Sequence, residues 1–181
     1  MKAKITKEII LNAAFEIVQK KGIDGLSNRE IARKLNCSIR PIYYQFENVS
    51  ELNKELYIKF EKYFYKFLLD NIKANLPAYK QVGINYIKFA QKEKNMFKAL
   101  FMSDTNLFVS DFITKDEDYK ELEKIIKDCT KLDDVMNFHS KMWIFTHGIA
   151  TLIATNTIRF NEQEISELLS CEFNALLEME R

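Results

Sequence analysis

Glycine and proline are scarce in this chain of 181 residues, which holds four of the first and two of the second. So few turn-forming residues cannot supply the many tight turns of a sheet-rich or loop-rich protein. Cysteine is scarce too: Cys37, Cys129 and Cys171 are odd in number, far apart and never in a C-x-x-C spacing. That pattern argues against a disulfide framework and against a zinc site, and it suits a reducing cytoplasm. No apolar run approaches the roughly 20 residues of a membrane span. Glu8, Asn12 and Glu16 interrupt the N-terminal stretch that would otherwise resemble a signal peptide. A soluble cytoplasmic protein is therefore expected. Also missing are a G-x-S-x-G elbow, a Gly-rich phosphate loop and a paired histidine–carboxylate signature, so neither an enzyme nor a cofactor is expected.

What is present is helical periodicity. Leu, Ile, Lys and Glu recur at spacings of three and four, and the chain is predicted to be all-α, with about nine helices. Ile5, Ile9, Ile10, Ala13, Ala14, Ile17 and Val18 make one apolar stripe on a first helix that stops at Gly22. Ser27 followed by Glu30 has the form of a capping box, and Ile31, Ala32 and Leu35 give the next, short helix its inward face. Asn36 and Cys37 form a turn, Ser38 is placed to cap a third helix, and Ile42 and Phe46 lie four apart on its buried side. Longer helices are expected over 50–74, 78–93, 95–102, 117–128, 133–158 and 162–180, with a loop after 102 that holds a short helix from Leu107 to Phe112.

Charge is unevenly distributed. Residues 1–66 carry 13 Lys and Arg against 8 Asp and Glu, a net of +5, and the remainder carries 14 against 18, a net of −4. A basic first third suggests contact with a polyanion. Two short helices, a tight turn and an aromatic-rich second helix describe a helix-turn-helix, whose second helix enters the DNA major groove. Arg40 has a forked donor for guanine or phosphate, and Tyr43 and Tyr44 pair a hydroxyl with a ring. Pro41 falls in the first turn, where its missing N–H removes no helical bond, although it disfavours helical geometry at Arg40. The candidate DNA-contacting residues are Ser27, Arg29, Ser38, Ile39, Arg40, Pro41, Tyr43 and Tyr44.

This segment resembles the tetracycline-repressor (TetR) family of bacterial transcriptional regulators. The stretch "LSNREIARKLNCSIRPIYYQFENVSEL" matches that family's pattern at Ser27, Ile31, Ala32, Ser38, Tyr43, Phe46 and Leu52, and the likeness spans roughly residues 5–60. Asn36 stands where the turn glycine is usual, Cys37 replaces valine, Ile42 replaces leucine, and Val49 stands where a lysine often touches phosphate. "WIFTHG", from Trp143 to Gly148, is similar to an element of some C-terminal domains of the family. The resemblance implies a DNA-binding domain over 1–48 and a ligand-binding and dimerisation domain over 49–181. It also implies a homodimer on a palindromic operator, formed through the last two helices, and a repressor released by a small molecule.

The effector would be apolar or amphipathic. Tyr86, Phe89, Phe97, Phe101, Phe108, Phe112 and Trp143 could line its pocket, with His139 and His147 as polar groups, but aromatics at helical spacing are more often ordinary core. The two histidines lie eight apart and not four, so no metal site is expected. Gly148, inside a helix, would permit close helix approach in the core or at a dimer seam. The helix over 133–158 is too apolar for one neighbour, and the final helix spreads Leu168, Leu169, Cys171, Phe173, Leu176 and Leu177 over a broad stripe. A symmetric partner would cover the excess. The alternative to a DNA-binding regulator is a helical small-molecule carrier or interaction protein of the same fold that does not bind DNA.

Overall fold

The computed structural model describes residues 5–70, 72, 76–103 and 117–180, and among them every regular element is helical. The elements are α1 (Lys7–Lys21), a 3₁₀ turn (Ile23–Gly25), α2 (Asn28–Lys34), α3 (Arg40–Gln45), α4 (Val49–Leu69), α5 (Ala78–Lys92), α6 (Lys94–Phe101), α7 (Glu117–Thr130), α8 (Val135–Ala154) and α9 (Glu162–Met179). The fold is all-α, as the periodicity requires. α4 ends at Leu69, five residues short of the boundary expected at 74. The short helix expected at Leu107–Phe112 lies outside the described residues.

The chain packs as two compact units, with a division after Tyr63, inside α4. The first unit contains α1, α2, α3, the greater part of α4, and α6 from Asn95 onward. Ile10, Ala14, Val18, Ile31, Ile42, Leu52, Leu56 and Phe97 are its buried centre. Phe15 lies edge-on to Tyr63, with ring centroids 5.2 Å apart. α6 is pinned by two bonds to main-chain oxygens: Asn95 donates to Gln19 O at 3.0 Å, and the Tyr57 hydroxyl donates to Leu100 O at 3.2 Å. Burial pushes that phenol up to about 12. At the end of α3, Lys7 bridges Glu51 and Glu55 of α4 and lies 4.9 Å from the centre of the Phe46 ring.

The second unit holds the end of α4 from Phe64, with α5, α7, α8 and α9. α5 and α8 run in the same direction, because Tyr79 meets His139 and, two turns on, Tyr86 meets His147. α9 crosses both, and its Phe173 lies 5.4 Å from the Phe138 ring and 6.1 Å from Tyr79. Gly83 faces α9 closely: a Cβ there would stand 3.2 Å from Leu169 Cδ1, so that side chain would have to shift to admit it. Gly148 has no such role within the chain, since a Cβ there meets nothing within 4 Å and the residue is exposed. Asn161 and Glu164 close a full capping box at the start of α9.

Candidate nucleic-acid interface and ligand cavity

The turn between α2 and α3 is built by a helix stop. Cys37 N donates to Ala32 O at 3.0 Å and Asn36 N to Arg33 O at 3.2 Å, the double bond that ends a helix when the next residue is left-handed. That residue is Asn36, with φ 49°. Asparagine thus stands in for glycine, its short side chain tolerating the left-handed region. Ser27 caps α2 by accepting from Glu30 N at 3.2 Å. The reciprocal half of the expected box is replaced, because the Glu30 carboxylate receives Lys21 at 2.8 Å and Arg33 at 2.6 Å. Lys21 first, then Arg33, holds that carboxyl below its ordinary range.

Ser38 does not cap α3; Ile39 occupies the cap position and no side chain bonds there. Its backbone is already α-helical, so the chain enters α3 through Ile39 and Arg40, with Pro41 still within the first turn. The conflict at Arg40 is thereby settled in favour of the helix. Ile42 points inward at 1% exposure, while Tyr43 and Tyr44 stand 56% and 82% exposed on the opposite side. Ser27, Arg29, Ser38 and Arg40 are also exposed, and Ile39 and Pro41 are half-buried.

Ion pairing separates the basic residues into two sets. Lys7, Lys21, Arg33, Lys34 and Lys59 are each held by a carboxylate of the same unit. Arg29 and Arg40 have no carboxylate partner among the described residues. Arg29, at the start of α2, and Arg40, at the start of α3, are therefore left available to an external anion. Val49, where a phosphate-binding lysine was expected from the resemblance, is 50% exposed at the start of α4.

In the second unit a cavity of about 210 Å³ lies among α5, α8 and α9, with Cys129 of α7 on its wall. α5 contributes Tyr79, Val82, Gly83 and Tyr86, α8 contributes His139, Met142, Trp143 and Thr146, and α9 contributes Leu169 and Phe173. The lining is overwhelmingly apolar, with polar atoms at a few points. The Tyr79 hydroxyl lies 2.9 Å from His139 Nδ1, and the Tyr86 hydroxyl 2.8 Å from His147 Nδ1. Trp143 hydrogen-bonds Tyr86 and stacks on His147, with centroids 5.1 Å apart. Burial pushes both phenols up and both imidazoles down, His139 to about 4, so the histidines are neutral at pH 7.

Of the expected pocket residues, Tyr86, His139 and Trp143 line this cavity, and His147 stands behind Trp143. Phe89 is fully buried in an edge-to-face cluster with Phe64 and Phe67. Phe97 and Phe101 pack on each other in the first unit, and neither lines the cavity. Phe108 and Phe112 lie outside the described residues. Tyr79, Val82, Met142 and Thr146 were not singled out from sequence, although 79, 82 and 86 share a helix face, as do 139, 142, 143 and 146, and Leu169 and Phe173, read there as surface for a symmetric partner, line the cavity instead. Among the described residues no group of three metal-ligating side chains occurs, and no helix is long and apolar enough to cross a membrane.

Residues 10–56 match the family model of bacterial regulatory proteins, tetR family. This chain carries a TetR-family regulatory domain. Solved structures share the fold along almost the whole chain. A TetR-family transcriptional regulator from Haemophilus influenzae RD superimposes with a TM-score of 0.70 at 16% identity, covering 93% of this chain and 94% of that one. One from Marinobacter aquaeolei VT8 gives 0.69 at 12% identity, with the same coverages of 93% and 94%. A flavonoid-responsive regulator gives 0.61 at 16% identity, covering 96% of this chain and 95% of that one. No curated protein matches the sequence. The TetR-type domain and the TetR fold together support a DNA-binding transcriptional regulator.

Proposed function

We propose that this protein is a cytoplasmic homodimeric repressor that binds a palindromic operator through α3 and is released from it by a small molecule held in the α5–α8–α9 cavity. The observation that carries the DNA half is the exposure of Arg40, Tyr43 and Tyr44 on α3, together with the lack of any carboxylate partner for Arg29 and Arg40 among the described residues. Arg40 donates to a base edge or a phosphate, and the two tyrosines donate to phosphate while their rings cover sugar or thymine methyl groups. Ser27 and Arg29 stand at the start of α2, where exposed amides and a cation suit a phosphate. Ser38, Ile39 and Pro41 shape the entry to α3.

Apolar residues left uncovered on the last two helices support the dimer. Ile144, Gly148 and Leu152 recur every four residues along an exposed face of α8, with Ile144 65% exposed, and Cys171, Ala175 and Met179 are exposed on α9. Leu169, Phe173 and Leu176 are turned into the unit or its cavity and are not available to a partner. Release follows if the effector prefers a state in which the two α3 helices no longer match half-sites one helical turn apart. One protein of the same fold is flavonoid-responsive, which accords with an effector-governed regulator.

A gel-shift and footprint on the DNA flanking the protein's own gene tests the reading. Arg40→Ala is expected to cost about 1–3 kcal/mol at the specific site if Arg40 reads a base, and to weaken all sequences alike if it holds a phosphate. Unchanged binding by a folded Arg40→Ala, Tyr43→Ala double variant would refute the assignment of α3.

A further inference from the structure

Polar atoms in an apolar cavity decide what it can hold, because each must be matched when water leaves. The two tyrosine–histidine pairs differ in this respect. Tyr86 already bonds both His147 and Trp143. Tyr79 satisfies only Nδ1 of His139, and Nε2 of that ring has no partner among the described residues. His139 is itself on the cavity wall. If Tyr79 donates to Nδ1, Nε2 carries the hydrogen and donates; in the other tautomer Nε2 accepts. A hydroxyl suits either case, whereas a carboxylate only accepts and an ammonium only donates.

Charge narrows the choice further. Among the described lining residues no carboxylate occurs, and the one charged side chain is Lys80, half-buried and without an ion-pair partner. A cationic ligand would be desolvated with nothing to balance it. Shape narrows it again. Trp143, Phe173, Met142 and Leu169 supply ring and thioether surface, and the volume of about 210 Å³ exceeds the space of roughly 150 Å³ that admits a benzene ring.

We propose that the effector is a small planar aromatic molecule with a neutral hydroxyl, a phenol, bound with that hydroxyl on Nε2 of His139. This rests on the reading of the cavity as the effector site, and it adds the chemistry the site selects. Neutral histidine is what the site needs: an imidazolium would donate from both nitrogens and draw anions instead.

Titration calorimetry of the intact protein with naphthalene, 2-naphthol, 2-naphthoate and naphthylmethylammonium separates the possibilities, and operator release is measured in a separate gel-shift. 2-Naphthol is expected to bind about tenfold tighter than naphthalene, the value of one well-made neutral hydrogen bond. The ammonium compound should bind least. In His139→Phe the ratio of naphthol to naphthalene affinity should fall from about tenfold to about one. Equal affinity for naphthol and naphthalene in the unmodified protein overturns the proposal, and so does naphthoate as the tightest ligand with its advantage lost in Lys80→Ala. Should His139→Phe fail to fold, the four-ligand ranking on the unmodified protein still decides. Binding with the predicted ranking but without operator release would remove the induction reading and keep the ligand chemistry; no binding by any of the four removes both.

Discussion

At the scale of single residues, two side chains hold unusual states that can be measured. Asn36 sits at φ 49°, where a β-branched residue is strained and glycine is not. Asn36→Gly is expected to leave stability within about 1 kcal/mol, and Asn36→Val to lower it by about 1–2 kcal/mol with loss of operator affinity as α3 shifts. Urea titrations of the two variants check this. His139 is the second case. Its folded pKa of about 4 lies below the ordinary 6.5, so the folded state binds fewer protons between those values. Stability is therefore present above pH 6.5 and is lost as pH falls toward 4. His147 adds in the same direction. Glu8, Glu16, Glu30 and Glu51 are all held below their ordinary 4.5, so their contribution is lost only at lower pH. A melting midpoint that already falls between pH 6.5 and 4.5, and falls less in His139→Gln, is the expected outcome.

At the scale of elements, sequence was most informative where local chemistry alone forms the structure. α1 stops at Gly22, whose φ of 76° glycine accepts freely, and Pro77 sits immediately before α5, so both boundaries could be placed from single residues. The helix-turn-helix was readable because a cap, a stop and an inward Ile42 all fall within 20 residues. The cavity was less readable, since it depends on which faces of α5, α8 and α9 meet. Aromatic content alone gave Phe89 and Phe97 the same standing as Tyr86, although all three are buried and Tyr86 alone of them lines the cavity. Gly148 was ambiguous for the same reason, and packing shows that within the chain the closer approach is at Gly83, on which sequence reading was silent. Gly83→Val is accordingly expected to push α9 from α5, to destabilise by about 1–3 kcal/mol despite the better helix propensity, and to weaken naphthol binding. Thermal melting and calorimetry on one preparation measure both.

At the scale of the whole molecule, the homodimer proposed here makes assembly and DNA reading one requirement. A single α3 of six residues offers few base contacts, and affinity for an operator comes from two such helices held at a fixed spacing. The proposed seam must then consist of surface that a lone chain leaves apolar, which on α8 means Ile144 and Leu152. A charge at Ile144 costs a monomer little, because the side chain is already in water, but in a two-fold interface it is buried twice, each copy near the other. Ile144→Asp and Leu152→Lys are therefore expected to keep the melting behaviour of a folded chain, to halve the mass seen by light scattering, and to lose operator affinity. Leu169→Asp is the contrasting control. Its side chain is 3% exposed against Gly83 and the cavity, so it should unfold the second unit or abolish ligand binding. An unmodified protein that scatters as a monomer at tens of micromolar, yet binds its operator tightly, would separate DNA reading from assembly and reject the two-fold arrangement.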